Sequence, residues 1–286
     1  MSAREERADL HLHTTASDGR LSPAELVRLL AERGVSVAAV TDHDSTEGLD
    51  EAEREAARHP GLRLITGIEI SADSPLDEGG DLHLLGYFFD RADAALQERL
   101  RAFREEREQR GERMVERLAH IGKPVEWERV LAIADGASVG RPHVAQAMVE
   151  RGYIASVRGA FDGYLNDGGT AFVARPHISL EDAVQMIKHA GGAAVLAHPV
   201  YAKDYERLLP RLAEIGVVGF EAHYANFDAE TRQRLLSLAD RLGLLPCGGS
   251  DYHAFGAPGE QLPGSAGPPL SVVAELERLA SAGRRG

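Results

Sequence analysis

Histidines and carboxylates recur along this chain in short, separated groups. His11-Leu12-His13 puts two imidazoles two residues apart, with Asp9 just before them and Asp18 soon after. Thr41-Asp42-His43-Asp44, Glu69, His198-Pro199 and Ser250-Asp251-Tyr252-His253 follow, with His83 inside the apolar run Leu82-His83-Leu84-Leu85. Imidazole is the commonest metal ligand near neutral pH, and carboxylates bind harder divalent ions and can bridge two of them. Residues i and i+2 of a strand share a face, so His11 and His13 aim at one point. The same alternation predicts that Asp9 joins them, with Leu10 and Leu12 on the other face. Each group alone has a plain explanation, a surface strand or a hydrogen-bonded core histidine. Together they predict a centre for divalent metal, because charged groups seldom sit unpaired at buried strand ends. Mixed nitrogen and oxygen ligation without cysteine suits Mn²⁺, Fe²⁺ or Zn²⁺.

Alternating elements must position these groups. Ala8–His13, Val35–Thr41, Leu62–Ile70 and Leu82–Phe89 read as strands. Ser22-Pro23-Ala24-Glu25 is a capping box with proline at the first helical position, opening a helix that ends near Gly34. Glu47–Arg58 also reads as helix. The pattern then changes. Ala94 to Ile121 is a long Arg/Glu-rich helix, followed by helical stretches around Glu126–Ala134, Pro142–Arg151 and Val157–Leu165. Thr170–Val173 carries the next strand signal. Alternation resumes with strands at Ala193–Ala197, Val217–Glu221 and Leu244–Cys247. The helices between and after them are Leu180–His189, Tyr205–Ile215, Ala229–Leu242 and Val272–Ala282. Repeated βα units predict an α/β fold with a parallel sheet, helices outside, closed or nearly closed into a barrel. Residues 1–90 and 178–286 read as the barrel domain, and residues 91–177 as an α-helical insertion. Functional groups of such barrels gather where strands end. The groups above do so, His83 excepted.

Composition narrows the partners. The chain of 286 residues is 43% hydrophobic with a net charge of −13. Residues 91–177 are nearly neutral, with 14 Arg/Lys against 13 Asp/Glu, so the acidity lies in the barrel segments. Such a surface repels long duplex nucleic acid, whose binding depends on neutralising phosphates. A small anionic substrate is compatible with bound divalent ions. One cysteine, Cys247, fits a reducing compartment, and the charged start MSAREERADL has no apolar signal segment. No run approaches the roughly 18 apolar residues that span a bilayer. The expected location is the cytoplasm, without membrane attachment. His59, His120 and His189 read as solvated or partly packed residues, and Trp127 as core of the insertion. His223-Tyr224 follows a strand but matches no ligand position.

The motifs Asp9-Leu10-His11-Leu12-His13-Thr14, Ser17-Asp18-Gly19, Thr41-Asp42-His43-Asp44, Gly67-Ile68-Glu69, His198-Pro199 and Gly249-Ser250-Asp251-Tyr252-His253 resemble, in order, those of the PHP (polymerase and histidinol phosphatase) family. The likeness runs over about residues 8–90 and 178–255. It implies a distorted (β/α)7 barrel holding two or three divalent metal ions. It also implies the ligand sets: His11, His13, Glu69 and Asp251 for one ion; Glu69, His83 and His198 for a second; Asp18, His43 and His253 for a third. His83 is selected by the resemblance alone. Gly140-Arg141-Pro142-His143, Arg151-Gly152-Tyr153, Phe161-Asp162-Gly163-Tyr164-Leu165 and Gly168-Gly169 resemble the branch that contains 3′,5′-nucleoside bisphosphate phosphatases. Related members of that branch trim short RNA from its 5′ end.

The resemblance thus implies a small phosphorylated substrate, a nucleotide or a short RNA, attacked by a metal-activated hydroxide. Arg141 is the expected phosphate ligand, with Arg175 and His177 weaker candidates. His143 is the expected donor to a phosphate oxygen or leaving group, and Glu69 and Asp251 complete the expected catalytic set. For Pro142-His143 the plain alternative is an ordinary helix start. Three readings compete. A histidinol-phosphate-type phosphatase would use the same site. A deaminase on a related barrel would want a bridging lysine, yet Lys123, Lys188 and Lys203 end no strand. A non-catalytic metal-binding module would not need an intact ligand set.

Overall fold

Local signals set the helices firmly. At α1 (Pro23–Glu32), the Glu25 N–H donates to Ser22 Oγ at 3.3 Å and the Ser22 N–H to the Glu25 carboxylate at 2.8 Å. The reciprocal pair satisfies two donors that a helix start leaves open. The computed structural model describes residues 7–76, 81–166, 168–174, 178–256 and 259–283. Its strands are β1 (Ala8–Asp9), β2 (Val37–Val40), β3 (Arg63–Asp73), β4 (Asp81–Tyr87), β5 (Ala193–Leu196), β6 (Gly219–Glu221) and β7 (Leu245–Cys247). They form one sheet in sequence order. Around it lie α2 (Leu49–Ala56), α7 (Leu180–His189), α8 (Tyr205–Leu208), α9 (Leu212–Ile215), α10 (Ala229–Leu242) and α11 (Leu270–Gly283). Between β4 and β5 stand α3 (Ala94–His120), α4 (Trp127–Ala134), α5 (Arg141–Glu150) and α6 (Val157–Phe161).

The sheet is mixed, which corrects the expectation of a parallel one. β4 runs antiparallel to both β3 and β5, and the other pairs are parallel. The reason is the connection. A parallel crossover needs a dozen or more residues, and only residues 74–80 join β3 to β4. The edges of the sheet then meet beyond their regular strands. Asp251 donates its N–H to the His11 carbonyl at 2.9 Å, and His13 donates to the Tyr252 carbonyl at 3.0 Å. The result is a distorted α/β barrel.

Alternate residues of each strand feed two apolar layers. Ala39, Ile65, Leu85, Tyr87, Val195 and Cys247 fill the barrel interior against α11. Ala38, Val40, Ile68, Leu84, Leu196 and Phe220 face the outer helices. β1 breaks this rule. Ala8 and Leu10 belong to the interior cluster while Leu12 belongs to the outer one. The phase slips between Leu10 and His11, where the chain bends to meet residues 248–252. Asp9 therefore does not share a face with His11 and His13, contrary to the alternation argument. Its carboxylate accepts the N–H groups of Ser250 at 2.9 Å and Gly264 at 2.7 Å. The Leu10 carbonyl at the slip accepts from Tyr87 Oη at 2.9 Å.

The second half of α3 and α4 to α6 build a core of their own, including Met114, Leu118, Val130, Val144, Met148 and Leu165, while Leu96, Leu100 and Phe103 of α3 pack into the outer core of the barrel. Trp127 packs against it. Gly111 permits that approach, since a Cβ there would lie 2.9 Å from the indole. No strand forms at Thr170–Val173, another correction. Ala171 and Val173 are buried in this helical core, and the Ala171 and Phe172 N–H groups bond the Tyr164 and Gly169 carbonyls instead of a strand. The segment expected as one helix at Tyr205–Ile215 is broken into α8, the 3₁₀ turn Leu209–Arg211 and α9. Pro210 lacks the N–H that a continuous helix would need. Among the described residues, no helix is long and apolar enough to cross a membrane.

Tyr87 and the Leu10 carbonyl are both fully buried. Tyr87→Phe should therefore lower unfolding free energy by about 1–3 kcal/mol, the cost of one unsatisfied buried acceptor. Urea denaturation would measure this; an unchanged midpoint would show that the slip needs no prop.

Candidate metal centre

Glu69, only 1% exposed, lies among five imidazoles. Its Oε2 stands 3.2 Å from His11 Nε2, 3.1 Å from His13 Nε2 and 3.2 Å from His43 Nδ1. Its Oε1 stands 2.7 Å from His83 Nδ1 and 3.5 Å from His198 Nε2. Asp251 Oδ1 lies 3.3 Å from His11 Nε2, 3.2 Å from His13 Nε2 and 3.7 Å from His253 Nδ1. Asp18 completes the far side, 3.4 Å from His253 Nε2 and 3.9 Å from His43 Nε2. All nine candidate ligands thus share one centre. They fall into three overlapping donor groups: His13, Asp18, His43 and His253; His11, His13 and Glu69; His43, Glu69 and His83.

The donor chemistry suits cations better than mutual hydrogen bonds. His13 Nδ1 and Nε2, His43 Nδ1 and Glu69 Oε1 are buried and make no hydrogen bond, although partners stand close by. Native interiors rarely leave such atoms unmatched, so their lone pairs fit metal coordination. Electrostatics agree. Burial alone would lower the His13 pKa, yet Asp251 and Glu69 reverse this and push it up to about 10. Burial opposes ionisation of Glu69, but His43, His83 and His11 hold it well below the usual carboxylate range. The site stabilises concentrated positive charge.

Several local features aim these groups. β4 is antiparallel, so its start, not its end, lies at the mouth. His83, third in β4, therefore faces Ser71 beside Glu69. The structure thereby explains a ligand candidate that strand-end reasoning misses. Asp42 is not part of the cluster. It accepts from the Thr14 N–H at 2.8 Å, Thr14 Oγ1 at 2.6 Å and Ser17 Oγ at 2.5 Å, pinning the loop between His13 and Asp18. Asp44, His198 and Asp251 adopt positive φ of 50°, 24° and 54°, conformations that L-residues hold only when surroundings enforce them.

Glu221, at the end of β6 and fully buried, was not singled out from sequence. Its Oε1 lies 3.1 Å from His11 Nδ1, and its Oε2 accepts the His198 N–H at 2.7 Å. A carboxylate on Nδ1 leaves Nε2 of His11 as the lone pair facing the centre. The signal was the one that selects Glu69: a strand ending in a carboxylate. Tyr224 is a second such partner, donating its Oη to Asp251 Oδ2 at 2.7 Å.

The substrate-side candidates are spread more widely. His143 lies at the start of α5 in a cavity of about 230 Å³ that it lines with Asp18, Arg20, Gln146 and Phe255. Its Nδ1 accepts the Gly140 N–H at 2.9 Å, and burial holds its pKa below the ordinary imidazole value. Arg141 sets its guanidinium carbon 5.6 Å from the Phe161 ring. Arg175 and His177 lie outside the described residues. Two arginines not singled out reach the mouth. Arg107 of α3 donates Nε to Asp44 Oδ2 at 2.5 Å and Nη2 to Ser71 Oγ at 3.2 Å. Arg20 donates Nη2 to Gln146 of α5 at 2.6 Å. A long helix rich in Arg and Glu gave no signal that Arg107 would point to the mouth.

Second carboxylates behind metal-binding histidines typically carry a ten- to hundredfold share of affinity. Glu221→Gln should therefore weaken Mn²⁺ binding by about ten- to a hundredfold while the protein stays folded. Glu69→Gln should abolish stoichiometric metal. Titration calorimetry and metal analysis of the purified variants would read both; wild-type affinity in E221Q would remove Glu221 from the site.

A PHP domain model matches residues 9–155. The 5′-3′ exoribonuclease Rnm of Salmonella typhimurium is 37% identical over 250 residues, 86% of this chain and 84% of that protein. The 3′,5′-nucleoside bisphosphate phosphatase of Chromobacterium violaceum is 34% identical over 266 residues, 89% of this chain and 90% of that one. A crystal structure from Bifidobacterium adolescentis, described as a metal-dependent phosphoesterase, superposes with a TM-score of 0.86 at 31% identity, covering 96% of both chains. Family model, full-length relatives and fold agree with the buried histidine–carboxylate centre: the chain belongs to the PHP family.

Proposed function

We propose that the protein is a metal-dependent phosphoesterase that removes the 3′-phosphate of nucleoside 3′,5′-bisphosphates. The observation that carries this is the cluster around Glu69, with its unmatched buried lone pairs. His11, His13, Asp18, His43, Glu69, His83, His198, Asp251 and His253 are assigned as ligands of two or three ions of Mn²⁺, Fe²⁺ or Zn²⁺. Ions held by these residues would supply a hydroxide at neutral pH and offset charge on the phosphoryl oxygens. Glu69 presents one oxygen to each side of the cluster, which suits a bridging role. Asp251 is oriented from behind by Tyr224.

No side chain competes as nucleophile at Cys247, because burial pushes its thiol up, far from a reactive thiolate. His143 is assigned as the donor to a phosphate oxygen or leaving group: its Nδ1 accepts the Gly140 N–H, which leaves Nε2 as the N–H side, in the cavity it shares with Asp18. Residues 91–177 are assigned as a helical cap, supplying Arg141 and Arg175 to the phosphate that is not cleaved. Arg107 is assigned beside them on geometry, held at the mouth by its bonds to Asp44 and Ser71.

The Chromobacterium relative supports the bisphosphate substrate. A second reading, stepwise 5′-3′ removal of nucleotides from short RNA by the same site, is favoured by the Salmonella relative. Both keep the substrate a small phosphorylated molecule, a nucleotide or a short RNA.

Manganese-loaded protein should release inorganic phosphate from a nucleoside 3′,5′-bisphosphate and leave the 5′-monophosphate. Ladder-like shortening of 5′-phosphorylated RNA at higher kcat/KM would favour the second reading instead. Arg141→Ala should lower kcat/KM for the bisphosphate by about ten- to a hundredfold, with less effect on an aryl phosphate. Equal losses on both would put Arg141 at the cleaved phosphate, and none on either would remove it from the site.

A further inference from the structure

Few large apolar or aromatic side chains are exposed among the described residues, and Tyr201 at 63% is the most exposed of them. A lone exposed tyrosine needs no explanation. This one ends the 3₁₀ turn Pro199–Tyr201 that directly follows His198. Its ring centroid lies 5.7 Å from the His198 ring. Two further rings prop it from the protein side: Tyr224 at 6.0 Å and Phe227 at 6.1 Å, both edge-on. Those two are buried, and Tyr224 is itself fastened to Asp251. Tyr201 is therefore held at the rim of the metal centre by the same scaffold that orients Asp251, with most of its surface in water. Phe255, the other exposed ring at the mouth, already stacks on His253 at 5.1 Å and lies 5.6 Å from the Arg20 guanidinium.

A rigid, solvent-facing aromatic ring beside a phosphate site is the feature that grips nucleobases. Every base offers a π-face, so stacking tolerates any base sequence while rejecting ligands without a base. A nucleotide whose phosphate reaches the centre carries its base only a few ångströms beyond. We propose that Tyr201 is the stacking platform for the substrate's nucleobase, and so the residue that selects nucleotides over base-free phosphates. The inference rests on the nucleotide reading above and adds the group that recognises the base.

The test compares manganese-loaded wild type, Tyr201→Ala and Tyr201→Phe on a nucleoside 3′,5′-bisphosphate, on ribose 3,5-bisphosphate and on glycerol phosphate, neither of the last two having a ring that can stack. Stacking losses of the usual size predict that Y201A raises KM for the nucleotide about five- to a hundredfold. The rise for the two base-free substrates should be far smaller, and kcat should change little. Y201F keeps the ring and should stay near wild type. A 2-aminopurine nucleotide should lose fluorescence on binding to wild type and Y201F, and much less with Y201A. Equal losses on all three substrates, or none on any, would overturn the platform while leaving the nucleotide substrate intact. Wild type that cleaves glycerol phosphate but no nucleotide or RNA would overturn the nucleotide reading and this inference with it.

Discussion

A carboxylate taken almost wholly out of water must be surrounded by positive charge or by hydrogen-bond donors. Otherwise the cost of desolvating it exceeds what one domain's stability can absorb. Glu69 is that carboxylate here, and five histidine nitrogens lie within 3.5 Å of its oxygens. The histidines come from separate parts of the chain. His11 and His13 follow β1, His43 follows β2, His83 opens β4 and His198 follows β5. No pair of neighbouring elements can satisfy Glu69, so the sheet has to curl until all of them face one point. The centre is thus a consequence of barrel closure and a demand upon it.

That demand accounts for the irregularities of the framework. A uniform strand at residues 8–13 would put Leu10 and Leu12 on one face. The slip after Leu10 lets Leu10 fill the apolar interior and still turns His11 and His13 inward above it. Tyr87 repairs the backbone at that point with a bond that spans the barrel. The reversed strand β4 has a similar effect, because it brings a strand start, with His83, to the end where its neighbours finish. Positive φ at Asp44, His198 and Asp251 is the remaining sign of backbone bent to suit side chains.

Much of this was legible in the residues themselves. Strand ends bearing His, Asp or Glu located eight of the nine clustered side chains, because in a parallel barrel the end of a strand is the mouth. The exceptions have physical causes. His83 escaped since the rule inverts for an antiparallel strand, and nothing in Leu82–Leu85 announces direction. Asp9 was wrongly grouped with the two histidines, since period two holds only while a strand stays regular and β1 stops at Asp9. Glu221 could have been found, as its position obeys the rule used for Glu69. Arg107 could not, because α3 carries charges all round and its inward face depends on where the helix docks.

The layers of partners behind the centre also explain why the helices between β4 and β5 matter to its chemistry. Glu221, Asp42 and Tyr224 each fix a group at the centre or a loop that bears one, and all three belong to the barrel. On the side of Asp18 the support comes from elsewhere. His143 and Gln146 of α5 meet Asp18 and Arg20 across the shared cavity, Ser138 bonds the Ala16 carbonyl, and Arg107 binds Asp44. The apolar anchor lies further back, where Leu96, Leu100 and Phe103 of α3 join the outer core of the barrel. The Asp18 side of the cluster is therefore tied to how these helices sit, whereas the His11–Glu69 side is fixed by the barrel alone. A substrate bridging both would meet partners from the barrel alone on one side, and partners from α3 and α5 as well on the other.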